Sequence, residues 1–283
     1  MNRMVIIGWL AAAGIAVIAF LGWIVIADRR FPKAMPDGII PVTMDMTTSY
    51  LIPLPHGYLL VDTNYPHNYE LFKELILQEG VDPKDIRFLL LTHHHDDHAG
   101  FVQILVSENP DIQVLIHERS IPLIARGRNN TDNGGAIVNG GVNLLFHLKK
   151  AVSPWWDHQF PGFIPRNRDR ILRGAEVSLD AHLGIDTAVL STPGHTDDSV
   201  SLLLENRYLF AGDLASNFLN WAGTRYLTIY NEDLAQVYES WVNILNRNVE
   251  VILPSHGRPF APEALKKNLY KSPPENQILY KPY

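Results

Sequence analysis

Short apolar runs broken by turn residues alternate along this chain with stretches of helical period. Three extended runs come first, at 39–46, 49–53 and 58–62, with Asp62 closing the third. The period then changes. Leu71, Phe72, Leu75 and Ile76 fall on one face of a helix predicted over 68–80, and Gly80 suits the position just past its last turn. An apolar strand is expected at 86–91, a helix at 99–107 and a strand at 113–117. Strands resume at 177–179, 187–191, 200–204 and 208–211. Leu234, Val237, Trp241, Ile244 and Leu245 form the stripe of a helix over 232–246. A strand at 249–254 and a helix at 262–270 close the pattern. Strands followed by helices, twice over, predict one mixed α/β domain across 39–270.

The N-terminus follows a different rule. Val5 to Ala27 is a run of 23 residues without a charge. As a helix it would reach about 35 Å at ~1.5 Å per residue, enough for a bilayer core. Trp9 and Trp23 lie near its ends, where amphipathic rings favour the interface. A cleaved leader would have a shorter apolar region and a small-x-small site after it, whereas Asp28-Arg29-Arg30 follows here. Residues 1–30 are therefore expected to be a single-pass membrane anchor, with 31–38 a linker and 271–283 a loosely held tail. Arg3 flanks one side of the run and Arg29, Arg30 and Lys33 the other, which leans towards a cytoplasmic catalytic domain.

The 283 residues contain no cysteine, so disulfides and thiolate ligands are excluded and any metal must be held by nitrogen and oxygen. The candidates for that role are concentrated. The strand at 86–91 runs straight into Thr92-His93-His94-His95-Asp96-Asp97-His98. Read as His-x-His-x-Asp-His, the sequence offers His93, His95, Asp97 and His98 at the edge of a sheet. His93 and His95 are two apart and can point the same way from extended backbone. His94 falls in the variable slot and is not counted as a ligand. His117, at the end of its own strand, reads as a structural histidine.

This stretch resembles the signature of the metallo-β-lactamase-fold hydrolases. Three later motifs stand in the order that family shows: His195 in Ser191-Thr192-Pro193-Gly194-His195-Thr196, Asp213 in Leu209-Phe210-Ala211-Gly212-Asp213, and His256 in Leu253-Pro254-Ser255-His256-Gly257. The resemblance implies an αββα sandwich. It implies one metal on His93, His95 and His195, a second on Asp97, His98 and His256, and Asp213 bridging them. Two Zn²⁺ ions fit such a set, with Mn or Fe also admitted by the donors. Two dications would lower the pKa of a bridging water and supply hydroxide to an ester, lactone, thioester or phosphodiester, with Asp97 orienting it. Thr196 and Ser255, beside two ligands, are expected to support them. A carboxylate at the bridging position points towards glyoxalase II-like and lactonase-like members. Two alternatives stay open: an iron-dependent redox enzyme of the persulfide-dioxygenase kind, and a nucleic-acid or phosphodiester processing enzyme. A nucleic-acid partner is not expected, because the chain carries a net charge of −6.

Ninety-six residues separate His98 from His195, more than a compact member of that family would need. The surplus is placed at 119–175, an insertion with nine basic and three acidic residues, against fifteen and twenty-seven elsewhere. It also groups Trp155, Trp156, Phe160 and Phe163. Three expectations follow. One is a lid that buries its aromatics against the domain. Another is a positive cap in which Trp155, Trp156, Arg166 and Arg168 meet a small anionic substrate. The third is contact of exposed aromatics and neighbouring basic residues with lipid head groups near the anchor.

Overall fold

The structure is a computed structural model that describes residues 35–130, 134–152, 158–269 and 278–279. The anchor stretch, most of the linker and tail, Trp155 and Trp156 lie outside these residues. Among the described residues, no helix is long and apolar enough to cross a membrane.

Two sheets form the centre. The first is assembled from β1 (Ile40–Met44), β2 (Thr47–Leu54), β3 (Gly57–Val61), β4 (Ile86–Leu90) and β5 (Gln113–His117), with β6 (Ala136–Ile137) standing apart and β7 (Arg170–Leu172) at the edge beside β5. The second runs β13 (Val251–Pro254), β11 (Tyr208–Gly212), β10 (Val200–Leu204), β9 (Thr187–Ser191), β8 (Glu176–Ser178). A small third sheet places β6 between β12 (Tyr230–Asn231) and β14 (Ile278–Leu279).

The period of two along each strand decides the layers. In β3, Leu59 and Val61 meet Leu202, Phe210 and Leu253 between the sheets, while Leu60 faces the opposite way. In β4, Leu90 points between the sheets and Leu89 outward. Leu60 and Leu89 are covered by α1 (Tyr69–Gln78), α2 (Asp96–Ala99) and α3 (Val102–Glu108), through Phe72, Ile76, Val102 and Leu105. Two further short helices, α4 (Ile121–Ile124) and α5 (Gly140–Val152), lie in the insertion, and α6 (Asp180–Leu183) precedes β9. The outer face of the second sheet, through Leu203, Leu209, Ala211 and Ile252, meets Val237, Trp241 and Ile244 of α7 (Leu234–Leu245) and Leu265 of α8 (Glu263–Leu269). The result is an αββα sandwich. Helix α1 ends as its sequence suggests: Gly80 takes φ +79, its N–H reaches Leu77 O and that of Val81 reaches Ile76 O.

The described part of the insertion packs into the domain, in line with the expected burial of its aromatics. Arg170–Leu172 joins the first sheet as β7, pairing in parallel with β5. Phe160 and Phe163 are buried in the helix-side core with Ile124. Burial of two phenyl rings outweighs any gain from presenting them to a substrate. What projects from the body is therefore shorter than 119–175. Its two ends are joined by an antiparallel bridge between Arg128 and Gln159.

Candidate metal centre

The strands β3, β4, β9, β11 and β13 all end at one rim of the sandwich. β3 and β4 pair in parallel, as do β11 and β13, and β9 and β11 both run antiparallel to β10. Each sends its next residues into the same space: Asp62 after β3, the histidine turn after β4, His195 after β9, Asp213 after β11 and His256 after β13. The ligand turn then enters α2, whose first residues are Asp96, Asp97 and His98.

Seven side chains converge. His93, His95 and His195 place ligand atoms within 4.8 Å of one another, as do Asp97, His98 and His256, and as do His93, His98 and Asp213. His95 Nδ1 lies 3.1 Å from His93 Nε2 and 3.0 Å from His195 Nε2. Asp213 straddles the two groups. Its Oδ2 is 3.4 Å from His195 Nε2, and its Oδ1 is 3.4 Å from His256 Nε2 and 3.5 Å from His98 Nε2. Asp97 Oδ2 lies 3.3 Å from His256 Nε2 and accepts a hydrogen bond from Thr47 Oγ1 at 3.0 Å.

The far side of each ring shows which nitrogen is free. His98 Nδ1 sits 2.8 Å from Asp62 Oδ2, a partner that can only accept, so the proton is on Nδ1. His256 Nδ1 donates to Met46 O at 2.7 Å, and His195 Nδ1 to Tyr230 O at 2.9 Å. Thr92 Oγ1 donates to Asp62 Oδ2 at 2.7 Å and so accepts from His93 Nδ1 at 3.1 Å. Four histidines thus turn Nε2 inward with Nδ1 engaged behind, the second-layer arrangement that metal-binding imidazoles use.

These donors fit a divalent metal on two grounds. His95 Nδ1 faces the lone pairs of His93 Nε2 and His195 Nε2 at 3.0–3.1 Å, and a neutral His95 has at most one Nδ1 proton for the two of them. His98 Nε2 and Asp213 Oδ1 are also buried with no hydrogen-bond partner, a state that needs an explanation. A shared cation satisfies all of these atoms.

The electrostatics divide the site in two. Burial, reinforced by neighbouring rings, holds the pKa values of His93 and His95 well below the usual imidazole range, and burial lowers that of His195. On the other side, burial alone would lower His98, but Asp97, Asp213 and Asp62 outweigh it and push it up to about 9. His256 is raised for the same reason, with Asp213 foremost against burial. Burial would lift Asp213, but His256, His98 and His195 hold it down at about 2. Without a metal, the second group behaves as a compact ion network.

The residues expected to support the ligands are not those that touch them. Thr196 bonds to Ser199 Oγ at 2.7 Å, and the backbone of Ser255 pairs with Thr48 and Gly212. His195 is oriented instead by Thr228 and Tyr230, more than thirty positions along the chain, because the loop before β12 folds back over the rim. Asp62, Thr92 and Thr47 complete the set. Only Asp62's place at a strand end was visible beforehand. His94 is fully buried but bonds to Asp198 and the Asn130 N–H rather than facing the centre. His117 is buried and accepts from the Arg119 N–H at 3.4 Å.

Arg166 and Arg168 stand elsewhere. Arg166 grips Asp169 and the carbonyls of Pro110 and Ile112, and Arg168 pairs with Asp111. Pro110, Asp111 and Ile112 precede β5 and Asp169 precedes its parallel neighbour β7, so these partners lie at the strand ends opposite the ligand rim. Nearby carboxylates capture both guanidinium groups there, which corrects their expected role as substrate contacts. Lys149 of α5, another basic residue of the insertion, lies within electrostatic range of Asp97. Burial lowers its pKa, while Asp97, Asp45 and Asp96 act in the opposite sense.

An αββα sandwich with clustered His and Asp ligands at one rim defines a metal-binding α/β protein. The chain belongs to the metallo-beta-lactamase superfamily, whose family model matches residues 42–256. It is 27% identical over 218 residues to the "Beta-lactamase-like protein 2 homolog" of Caenorhabditis elegans, covering 77% of this chain and 58% of that protein. The chain thus spans little more than half of that relative. It is 23% identical to the "Probable metallo-hydrolase YflN" of Bacillus subtilis, covering 82% of this chain and 88% of that one. Among solved structures, the subclass B3 metallo-beta-lactamase BJP-1 of Bradyrhizobium japonicum superposes with a TM-score of 0.55 at 23% identity, over 78% of this chain and 75% of that one. The archaeal superfamily protein ST1585 from Sulfolobus tokodaii gives 0.55 at 17%, over 83% and 86%. These two share the fold. The fold and the ligand groups together imply divalent metal binding.

Proposed function

We propose that this chain is a dinuclear, zinc-dependent hydrolase of an ester, lactone, thioester or phosphodiester. The observation that carries this reading is Asp213, whose two oxygens face the two ligand groups separately. His93, His95 and His195 would hold one ion, and Asp97, His98 and His256 the other. When bound, such ions supply Lewis acidity and an activated water. The chain's own residues do the rest. Asp62, Thr92, Thr228 and the carbonyls of Met46 and Tyr230 fix the rings as Nε2 acceptors. Asp97, kept ionised by His98 and His256 against its burial, offers a carboxylate that can take or orient a proton at the rim. Lys149 brings positive charge to the same rim, which favours small anionic substrates. The uncharged run Val5 to Ala27 supports attachment to a membrane.

A hydrolysis screen over lactones, thioesters, carboxylic esters and phosphodiesters tests the reading, with a chelator control and metal analysis of protein purified without added metal. Two zinc equivalents and chelator-sensitive turnover are expected. A single tightly held iron with no hydrolysis would replace this reading with the redox alternative.

A further inference from the structure

His94 and Asp96, the two residues interleaved among the ligands in His93-x-His95-x-Asp97-His98, are both buried, and neither faces the centre. Each is instead tied to the insertion. The Asp96 N–H donates to Asn129 Oδ1 at 2.7 Å, and Asn129 Nδ2 donates back to Asp96 Oδ1 at 2.8 Å. Asp96 Oδ2 accepts from His158 Nδ1 at 3.1 Å. The Asn130 N–H donates to His94 Nε2 at 3.0 Å. That places the proton of His94 on Nδ1, which donates to Asp198 Oδ1 at 2.9 Å, in the loop that carries His195.

The insertion's contacts come from both of its ends. Asn129 and Asn130 lead out of the body and His158 leads back, with the Asn129 N–H bonded to His158 O and the Phe160 N–H to Gly127 O. His158 takes φ +55, in the left-handed region where Asn, Asp and His are the commonest residues after Gly.

We propose that the base of the insertion is an outer brace of the metal-bearing turn, in which Asn129, Asn130 and His158 position the ligands through Asp96 and His94. Asp96 opens α2, so fixing both its N–H and its carboxylate fixes the turn from which Asp97 and His98 project. His94 lies between two ligands at a bend in the turn, so fixing both of its ring nitrogens restrains His93 and His95. The brace rests on the reading of this centre as a metal site.

The test follows metal rather than turnover. Protein loaded with Zn²⁺ is mixed with excess chromogenic chelator and release is timed. Co²⁺-loaded protein is scanned for absorption bands that report ligand geometry. Asn129→Ala and His158→Ala are expected to release zinc about 10-fold faster, the lower end of the range for groups that orient ligands, and to shift the Co²⁺ bands. His158→Asn keeps a donor at the Nδ1 position and tolerates the left-handed backbone, so it should restore both readouts. Asp62→Ala, which strips a ligand's direct partner, serves as the positive control. The brace is overturned if both alanine variants match wild type while Asp62→Ala accelerates release. It is also overturned if they lower the melting temperature of metal-free protein but leave release and spectra unchanged. If wild-type protein takes up neither Zn²⁺ nor Co²⁺, the metal-site reading falls and the brace with it.

Discussion

Asp62 holds His98 by a 2.8 Å hydrogen bond from His98 Nδ1 to Asp62 Oδ2, with both side chains sealed from solvent. The same carboxylate accepts the Thr92 N–H and hydroxyl, each at 2.7 Å. Asp62→Ala would strand a ring N–H and a backbone N–H in the interior. We expect metal affinity to fall roughly 10–100-fold and stability by about 1–3 kcal/mol per orphaned donor. Competition with a chelator and urea unfolding of metal-free protein measure the two effects separately.

Asp213→Ala removes the one carboxylate that faces both ligand groups. Bound metal should drop by about one equivalent, and turnover should fall by at least the roughly 100-fold seen when outer partners of ligands are lost. Metal analysis of the purified variant decides the matter, since retention of two ions with full turnover would remove Asp213 from the centre.

Lys149→Ala should raise KM for an anionic substrate more than for a neutral one of similar shape, with little change in kcat. Added salt should narrow the gap between the two substrates in wild type. Arg166→Ala should leave that gap alone, because its guanidinium is held by Asp169 at the far end of the strands. Equal KM changes for both substrates in Lys149→Ala would separate this lysine from substrate charge.

Asp169 lends itself to a pH measurement away from the ligands. Burial would raise its pKa, but Arg166 and the Val114 N–H outweigh burial and lower it. A depressed folded pKa means stability that is fully present above the unfolded value, near 3.9 for Asp. That stability is lost as pH falls below it through the folded value. The stability difference between wild type and Asp169→Asn, both in chelator, should therefore be largest near neutrality and shrink in acid. Urea titrations at several pH values follow that difference.

Removing residues 1–34 should leave a soluble protein that binds metal, because both faces of the sandwich are covered by residues from Met35 onward. Sedimentation of truncated and full-length protein with and without vesicles checks the anchor at the same time. Pelleting of both with vesicles would argue against attachment through Val5 to Ala27.

Where an apolar run or stripe is bounded by turn residues, the chain could be read directly. β9 and β10 occupy 187–191 and 200–204, as their apolar runs predict, and α7 lies within its expected 232–246. The seven candidate ligands converge because each sits just past a strand and those strands end at one rim. Three features were not legible. β7 has only Arg170, Ile171 and Leu172, too few to show a period, and begins with a charge. The partners of His195 depend on a loop returning from Thr228, which no local pattern encodes. Arg166 and Arg168 suggested steering by charge alone, but the sequence does not show that Asp169 and Asp111 lie within reach.

The bridge between Arg128 and Gln159 has a consequence for how such a protein could diversify. Because the departing and returning segments are bridged at the body, and Asn129, Asn130 and His158 just inside that bridge hold the ligand turn, what lies between Asn130 and His158 is a cassette with fixed ends. Closing a longer excursion adds only about 0.6 kcal/mol per doubling of its length. The chain between Asn130 and His158 can therefore change length without moving His93 to His98, provided Asn129, Asn130 and His158 keep their bonds to Asp96 and His94 and β6 keeps its pairing with β12. Swapping that cassette alone is a route to altered substrate range on an unchanged set of ligands.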